Sequence, residues 1–148
     1  ARTLAPVEAA RAESLAAALG APPIEVHAST TNLFAVYPSE AAIRALSPDF
    51  VALAALPYQG AIVTAPGERA DFVSRYFAPA AGVAEDPVTG SAHCELTPYW
   101  VTRLGRNPLH AQQVSVRHGE LHVRLAGERV HIAGHAVPYL EGRITVPD

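Results

Sequence analysis

Apolar positions along this chain switch repeatedly between helix spacing and strand spacing. Over residues 6–19, Ala9, Ala10, Leu15, Ala16 and Leu19 recur at helix spacing and Gly20 ends the run, which predicts a helix. Pro22 and Pro23 then hold the chain extended. Residues 24–28 and 33–37 read as strands joined by the Ser/Thr/Asn-rich turn at 29–32. Short helices are expected over 39–46 and from Pro48 to about residue 56. Strands follow over 60–64 and 71–77, with a turn at 65–69 between them and a loop at 78–84 after them.

From Ala92 to Leu104 the pattern loses its sidedness. Leu96, Tyr99, Trp100, Val101 and Leu104 point in most directions around a helix, and such a helix belongs inside a domain. Pro98 removes one of its backbone hydrogen bonds and predicts a bend near Cys94. Beyond it the period becomes two. Val114 and Val116 alternate with polar residues, as do Leu121, Val123 and Leu125, then Val130 and Ile132, then Val137 and Tyr139. Two-residue turns fit at His118-Gly119, Gly127-Glu128 and Gly134-His135, the last two with Gly first as a type II′ turn requires. In that register Val116 faces Leu121, Val123 faces Ile132, and Ile132 faces Val137, giving an antiparallel meander with one buried face. The simplest assembly is α+β: a curved, mostly antiparallel, barrel-like sheet wrapped around a central apolar helix at 91–104. All 148 residues are expected to form one domain.

Composition narrows the partners. Hydrophobic content is 49% and charged content 17%, as expected of a folded domain rather than a disordered tail. The net charge is -3, every basic side chain other than His is Arg, and no stretch gathers them, so nucleic acid is not an expected partner. Apolar runs such as 50–56 are too short to span a bilayer, and no leader pattern marks export. With a single cysteine, Cys94, an internal disulfide is ruled out and a reducing, cytoplasmic setting is expected. The absence of Met fits either a removed initiator or the back portion of a longer protein.

Candidate chemistry gathers in Glu85-Asp86-Pro87-Val88-Thr89-Gly90-Ser91-Ala92-His93, just ahead of the apolar helix. A helix N-terminus offers unpaired N–H groups and the positive end of its dipole, which suits a carboxylate. Pro87 keeps Asp86 extended, so its carboxylate can act as acid/base or orient a substrate group; equally, Asp86 or Glu85 can simply cap the helix. Gly90 lets a ligand approach the backbone, and the Thr89 and Ser91 hydroxyls can donate to it or serve as ordinary caps. His93 and Cys94 are adjacent and point about a hundred degrees apart, so they do not form a nucleophile pair. Cys94 reads as core packing, and His93, in the first turn, as neutral if it acts at all. His122, Arg124 and His131 fall on the outer face of the meander with His131 opposite Arg124; no metal-ligand spacing is present, and no metal is expected.

Ser74-Arg75-Tyr76-Phe77-Ala78-Pro79 and the string Glu85 to His93 closely resemble the phenazine-biosynthesis (PhzF-like) isomerase family. Pro98-Tyr99-Trp100, Gln112 to Arg117 and Tyr139-Leu140-Glu141-Gly142 resemble it too. The resemblance covers this whole chain but only the C-terminal half of a family protein. It implies a diaminopimelate-epimerase-like fold of two halves, each a sheet around a helix, with the active site in the cleft between. It also implies isomerisation of a small carboxylic acid by proton transfer without metal or cofactor. Asp86 and Ser91 match the family's active-site Asp and Ser, and Gly90, with Thr89 and Ala92, belongs to its substrate-contacting turn. The family's catalytic Glu and a partner His lie in the N-terminal half, and neither Glu85 nor His93 takes their place. An N-terminal half-domain or a homodimer partner is therefore expected to complete the site. A non-catalytic carboxylate-binding domain and a dimerising domain are the other classes considered.

Overall fold

The computed structural model describes residues 1–146, and its strands pair in the order in which the chain makes them. The strands are β1 (Ala5–Pro6), β2 (Glu25–Ala28), β3 (Asn32–Val36), β4 (Gly60–Pro66), β5 (Phe72–Phe77), β6 (Leu109–Gln113), β7 (Gly119–Ala126) and β8 (Arg129–Ala133). Neighbours run antiparallel except β3 with β4 and β5 with β6, which are parallel. A parallel pair needs a crossover long enough to carry the chain back. The first crossover holds α2 (Glu40–Arg44) and α3 (Phe50–Ala54), and the second holds α4 (Gly90–Leu104). The remaining helix, α1 (Ala9–Leu19), lies between β1 and β2. Ser39 and Asp49 cap α2 and α3, each side chain accepting from backbone N–H groups of the first turn.

Strand alternation sorts the core into two layers. Leu33, Ala35, Ala61, Val63, Val73 and Phe77 pack with Leu15, Leu19, Ile43 and Leu53 of the first three helices. Their strand neighbours Phe34, Val36, Ile62, Phe72 and Tyr76 turn to the other side, where they meet Ala92, Leu96 and Trp100 of α4. The central strands are therefore buried on both faces, and their near-continuous apolar runs follow from that. Phe72 stacks on Trp100 with ring centroids 5.6 Å apart, and the indole N–H donates to Thr64 Oγ1 at 2.9 Å.

Several expectations change. The class is mixed α+β, but the sheet does not close: β1 and β8 are its two ends. The helix is not apolar all round either. Ala92, Leu96 and Trp100 make one stripe at i, i+4 and i+8, while His93, Glu95 and Thr97 are buried polar residues and Thr102 and Arg103 are exposed. At Pro98 the missing donor leaves the Cys94 carbonyl free, and Arg2 N–H fills the place at 2.9 Å. The first helix begins at Ala9, since Ala5 and Pro6 pair with β2, and β4 runs on through Pro66, past the expected turn at residue 65.

The meander is half right. Val123 faces Ile132, Arg124 faces His131, and the Gly127-Glu128 turn closes β7 onto β8 with Gly127 at φ 59°. Ahead of it Gln113 pairs with Gly119, so residues 114–118 all lie in the turn and Val116 is 99% exposed rather than opposite Leu121. The reason is local: Ser115 Oγ accepts from His118 N–H and His118 adopts φ 57°, which reverses the chain later than a two-residue turn would. The fourth strand is absent. Residues 134–146 have no regular structure, Gly134-His135 closes no hairpin, and Val137 and Tyr139 stand exposed.

Leu96 is fully buried on the stripe that holds α4 to the sheet. Leu96→Ala should lower the unfolding free energy by about 2–5 kcal/mol in a denaturant titration. A near-neutral result would mean that α4 does not pack as described.

Candidate functional site

The chain leaves β5 through a 3-10 turn at Pro79–Ala81 and comes back over the end of the same strand, where Asp86 N–H donates to the Tyr76 carbonyl at 3.0 Å. A second tether is ionic. Arg75 donates from Nε and NH2 to both oxygens of Glu85, at 2.8 and 3.0 Å, and both side chains are mostly shielded from water. Such a two-pronged pair fixes direction as well as distance. Arg75 NH1 also donates to the carbonyls of Ile43 and Leu46, and its guanidinium lies 4.8 Å from the Phe77 ring centre. Glu85 is thus a strut for the loop and does not cap α4.

Asp86 does not cap it either. Its Oδ2 accepts from the Thr89 hydroxyl at 2.5 Å, and Thr89, the N-cap residue, makes no side-chain bond to the helix backbone. The Thr89 N–H goes instead to Gln113 Oε1 at 2.8 Å. Gln113 Nε2 donates to the Asp86 carbonyl at 2.7 Å and to Thr89 Oγ1 at 3.0 Å. Beyond Thr89, no group outside the helix accepts from the N–H of Gly90, Ser91 or Ala92 among the described residues. Those are the donors a helix leaves unpaired at its start, at the positive end of its dipole. Gly90 is exposed with open space where a side chain would begin, and Ser91 is exposed with no hydrogen bond from its hydroxyl among the described residues. Ala92, by contrast, is buried as a whole residue, its side chain in the core. Of the two hydroxyls, Ser91's is free and Thr89's is committed to Asp86.

His93 is buried as a neutral ring, whereas Cys94 does not take the core place expected of it. His93 is fully buried with its Nδ1 2.8 Å from the Thr89 carbonyl, and its ring sits 6.1 Å from that of Phe72. Burial pulls its pKa below the usual value, opposed in part by the bond to Thr89, so the ring is neutral. Cys94 is half-buried rather than in the core proper.

The hairpin of β6 and β7 was expected from the sequence, but not that it holds this loop from the far side. Gln113, Ser115 and Gly119 all touch it: Ser115 Oγ donates to the Pro87 carbonyl at 2.9 Å, and Val88 sits so close over Gly119 that a Cβ there would lie 2.1 Å from its Cγ2. A Gln at position 113, in period-two step with the apolar Leu109 and Ala111, was the one available signal. A hollow of about 840 Å³ lies elsewhere, alongside α4 and lined by Arg2, Tyr99, Arg103 and Glu128. Its cations are already paired, Arg2 with Glu95 and Arg103 with Glu25, so it offers an anion little.

Residues 3–142 match the family described as phenazine biosynthesis-like protein. An uncharacterized isomerase of Pseudomonas aeruginosa is 59% identical over 139 residues, covering 94% of this chain and 53% of that protein. A human phenazine biosynthesis-like domain-containing protein is 51% identical over 94 residues, covering 59% of this chain and 33% of that one. Among solved structures, a PhzF-family protein from Enterococcus faecalis superposes with TM-score 0.81 at 42% identity, covering 90% of this chain and 50% of that chain. A Clostridium difficile protein described as a putative phenazine biosynthesis PhzC/PhzF protein gives 0.82 at 35% identity, covering 98% and 54%. The chain belongs to the phenazine biosynthesis-like family, and it spans about half the length of the curated relatives it matches.

The buried neutral His93 sets a pH dependence. In the unfolded chain a histidine ionises near its ordinary value of 6.5; in the fold its pKa is lower, so acid protonates the unfolded state first. Stability should therefore fall as pH drops below about 6.5, before Glu25 and Glu40, whose folded pKa values are lowered from 4.5, begin to contribute. His93→Gln should flatten the unfolding free energy between pH 7 and 5 in urea titrations, and an unchanged slope would contradict the buried neutral assignment.

Proposed function

We propose that this family member forms one wall of the active site of a cofactor-independent isomerase, which moves a proton on a small carboxylic acid. Asp86 and Ser91 are its catalytic residues, and the turn of Thr89, Gly90 and Ala92 binds the substrate's carboxylate. The observation that carries this is the placement of Asp86 beside a helix start whose N–H groups no side chain fills. With Oδ2 held by Thr89, Asp86 presents Oδ1 to an amine or hydroxyl of the substrate. The N–H groups at Gly90 and Ala92 and the Ser91 hydroxyl take the carboxylate. When a proton leaves the adjoining carbon, charge flows into that carboxylate, and donors already aimed at it stabilise the transition state without having to reorient. The isomerase name of the Pseudomonas aeruginosa relative supports the reaction class.

The proton carrier itself is assigned to another part of the assembly, an N-terminal half-domain or a second subunit across the cleft. Among the described residues of this loop, Glu85 is committed to Arg75 and His93 faces the core, so neither can serve. The same fact favours a second reading for the chain alone, in which it binds a carboxylate and catalyses nothing. The setting is cytoplasmic in both readings, consistent with the free thiol of Cys94, and neither nucleic acid nor a membrane is a partner.

Anthranilate serves as the probe for both. It should bind the chain saturably by calorimetry, and Asp86→Asn and Ser91→Ala should each weaken it by about tenfold, roughly 1.4 kcal/mol. Affinities equal to the unmodified chain's would sink the site assignment. Incorporation of solvent deuterium into substrate-like acids only when the other half is present would establish the catalytic reading, and its absence under both conditions would leave the binding one.

A further inference from the structure

Four consecutive residues of the loop that carries the proposed site are each held by one hairpin. Gln113 takes the Asp86 carbonyl, Ser115 the Pro87 carbonyl, Gly119 the methyl groups of Val88, and Gln113 again the N–H and hydroxyl of Thr89. Among these contacts Gln113 is unlike the rest, because it decides the direction of another hydrogen bond.

Donors and acceptors alone fix which way the Gln113 amide lies. A backbone N–H can only donate and a carbonyl can only accept. Thr89 N–H lies on one end of the Gln113 amide and the Asp86 carbonyl on the other, so the first end must be Oε1 and the second Nε2. The amide cannot be turned over without breaking both bonds. Nε2 has a second proton, and it points at Thr89 Oγ1, 3.0 Å away. The Thr89 oxygen is therefore an acceptor on that side, and its own proton is left for Asp86 Oδ2 at 2.5 Å. Gln113 itself has no exposed surface and three of its four hydrogen-bonding places are filled, including both N–H donors, so water does not compete for them.

We infer that Gln113 is a positioning residue for Asp86, acting through Thr89. By donating a hydrogen bond to Thr89 Oγ1 it turns the Thr89 hydroxyl proton away from its own N–H and toward Asp86 Oδ2, which orients the carboxylate and leaves Oδ1 as the face offered to a ligand. This rests on the proposed role of Asp86, and it extends that role into the β6–β7 hairpin.

The test uses isotope-labelled chain and neutral substitutions, so that no added charge is read as a structural effect. Gln113→Leu, Thr89→Val and the double variant are compared by the NMR shift of the Asp86 carboxyl carbon and by amide exchange at Thr89. Amides of Leu96 and Val73 report global opening. In Gln113→Leu the Thr89 amide should exchange at least about tenfold faster relative to those core amides. The Asp86 carbon should move in both single variants, and the double variant should move no further than Thr89→Val alone, because one residue acts through the other. An unmoved Asp86 carbon in Gln113→Leu, or a double variant displaced by the sum of the two, would overturn the inference. Should Gln113→Leu fail to fold, Gln113→Asn, an amide one methylene too short to bridge both ends, is judged by the same criteria. The anthranilate affinity of Gln113→Leu should fall at least about fivefold. If the unmodified chain does not bind anthranilate, the carboxylate-site proposal fails on that measurement, while the shift and exchange data still decide the role of Gln113.

Discussion

Parallel strands cannot be joined by a tight turn, and the pairing of β5 with β6 sends residues 78–108 across one face of the sheet before the chain can come back alongside. Most of the site follows from that constraint. The crossover must bury an apolar stripe, and Ala92, Leu96 and Trp100 supply it. It must also begin at the end where β5 stops, which sets the N-terminus of α4 beside Tyr76 and next to the end of β6 at Gln113. In open sheets the carboxyl ends of parallel strands are where helix N-termini gather and ligands bind. The loop from Glu85 to Thr89 is strung between those two strand ends, with Arg75 and Tyr76 on one side and Gln113 on the other.

A loop held this way gives up conformational freedom, and the tethers must outweigh that cost. Exposed ion pairs contribute little, but the Arg75–Glu85 pair is forked, mostly shielded and braced by two carbonyls, so it sets geometry as well as adding stability. The buried amide of Gln113 works similarly, since an amide left unsatisfied in the core would cost more than the bonds it now makes return. The helix start is the contrast. Its donors go uncapped although Thr89 stands at the N-cap and Asp86 lies three residues before, because those two side chains are bonded to each other. Local stability has been given up where a ligand could supply the missing acceptors.

Much of this was legible from residues alone. A helix over 91–104, strands over 60–64 and 71–77, short helices from Ser39 and Pro48 and the Gly127 hairpin all follow from period and turn chemistry, and the structure shifts their ends by a residue or two. The chemical richness of Asp86 to Ser91 was legible too, and the family showed in the resemblance of its motifs. What escaped were long-range facts. Val116 alternates with its neighbours like a strand residue, yet the Ser115–His118 bond and the positive φ of His118 keep it in a turn. Val137 and Tyr139 carry strand spacing but no partner strand among the described residues, and period alone cannot supply one. The stripe on α4 looked all-apolar because Thr97 and His93 are short or aromatic enough to be buried, while Glu95 is held inside by Asn32, 63 positions away in sequence. Gln113 escaped for the same reason: its partners lie 24 and 27 positions back, beyond any local rule.

The central claim is that the start of α4, with Asp86 beside it, is where a small carboxylate binds. Amide shift changes across the labelled chain during an anthranilate titration test it directly. The account predicts that the largest changes fall on Gly90, Ser91 and Ala92, with Asp86 following the same saturation curve. Changes centred on Arg2, Tyr99 and Arg103, with the start of α4 silent, would contradict it.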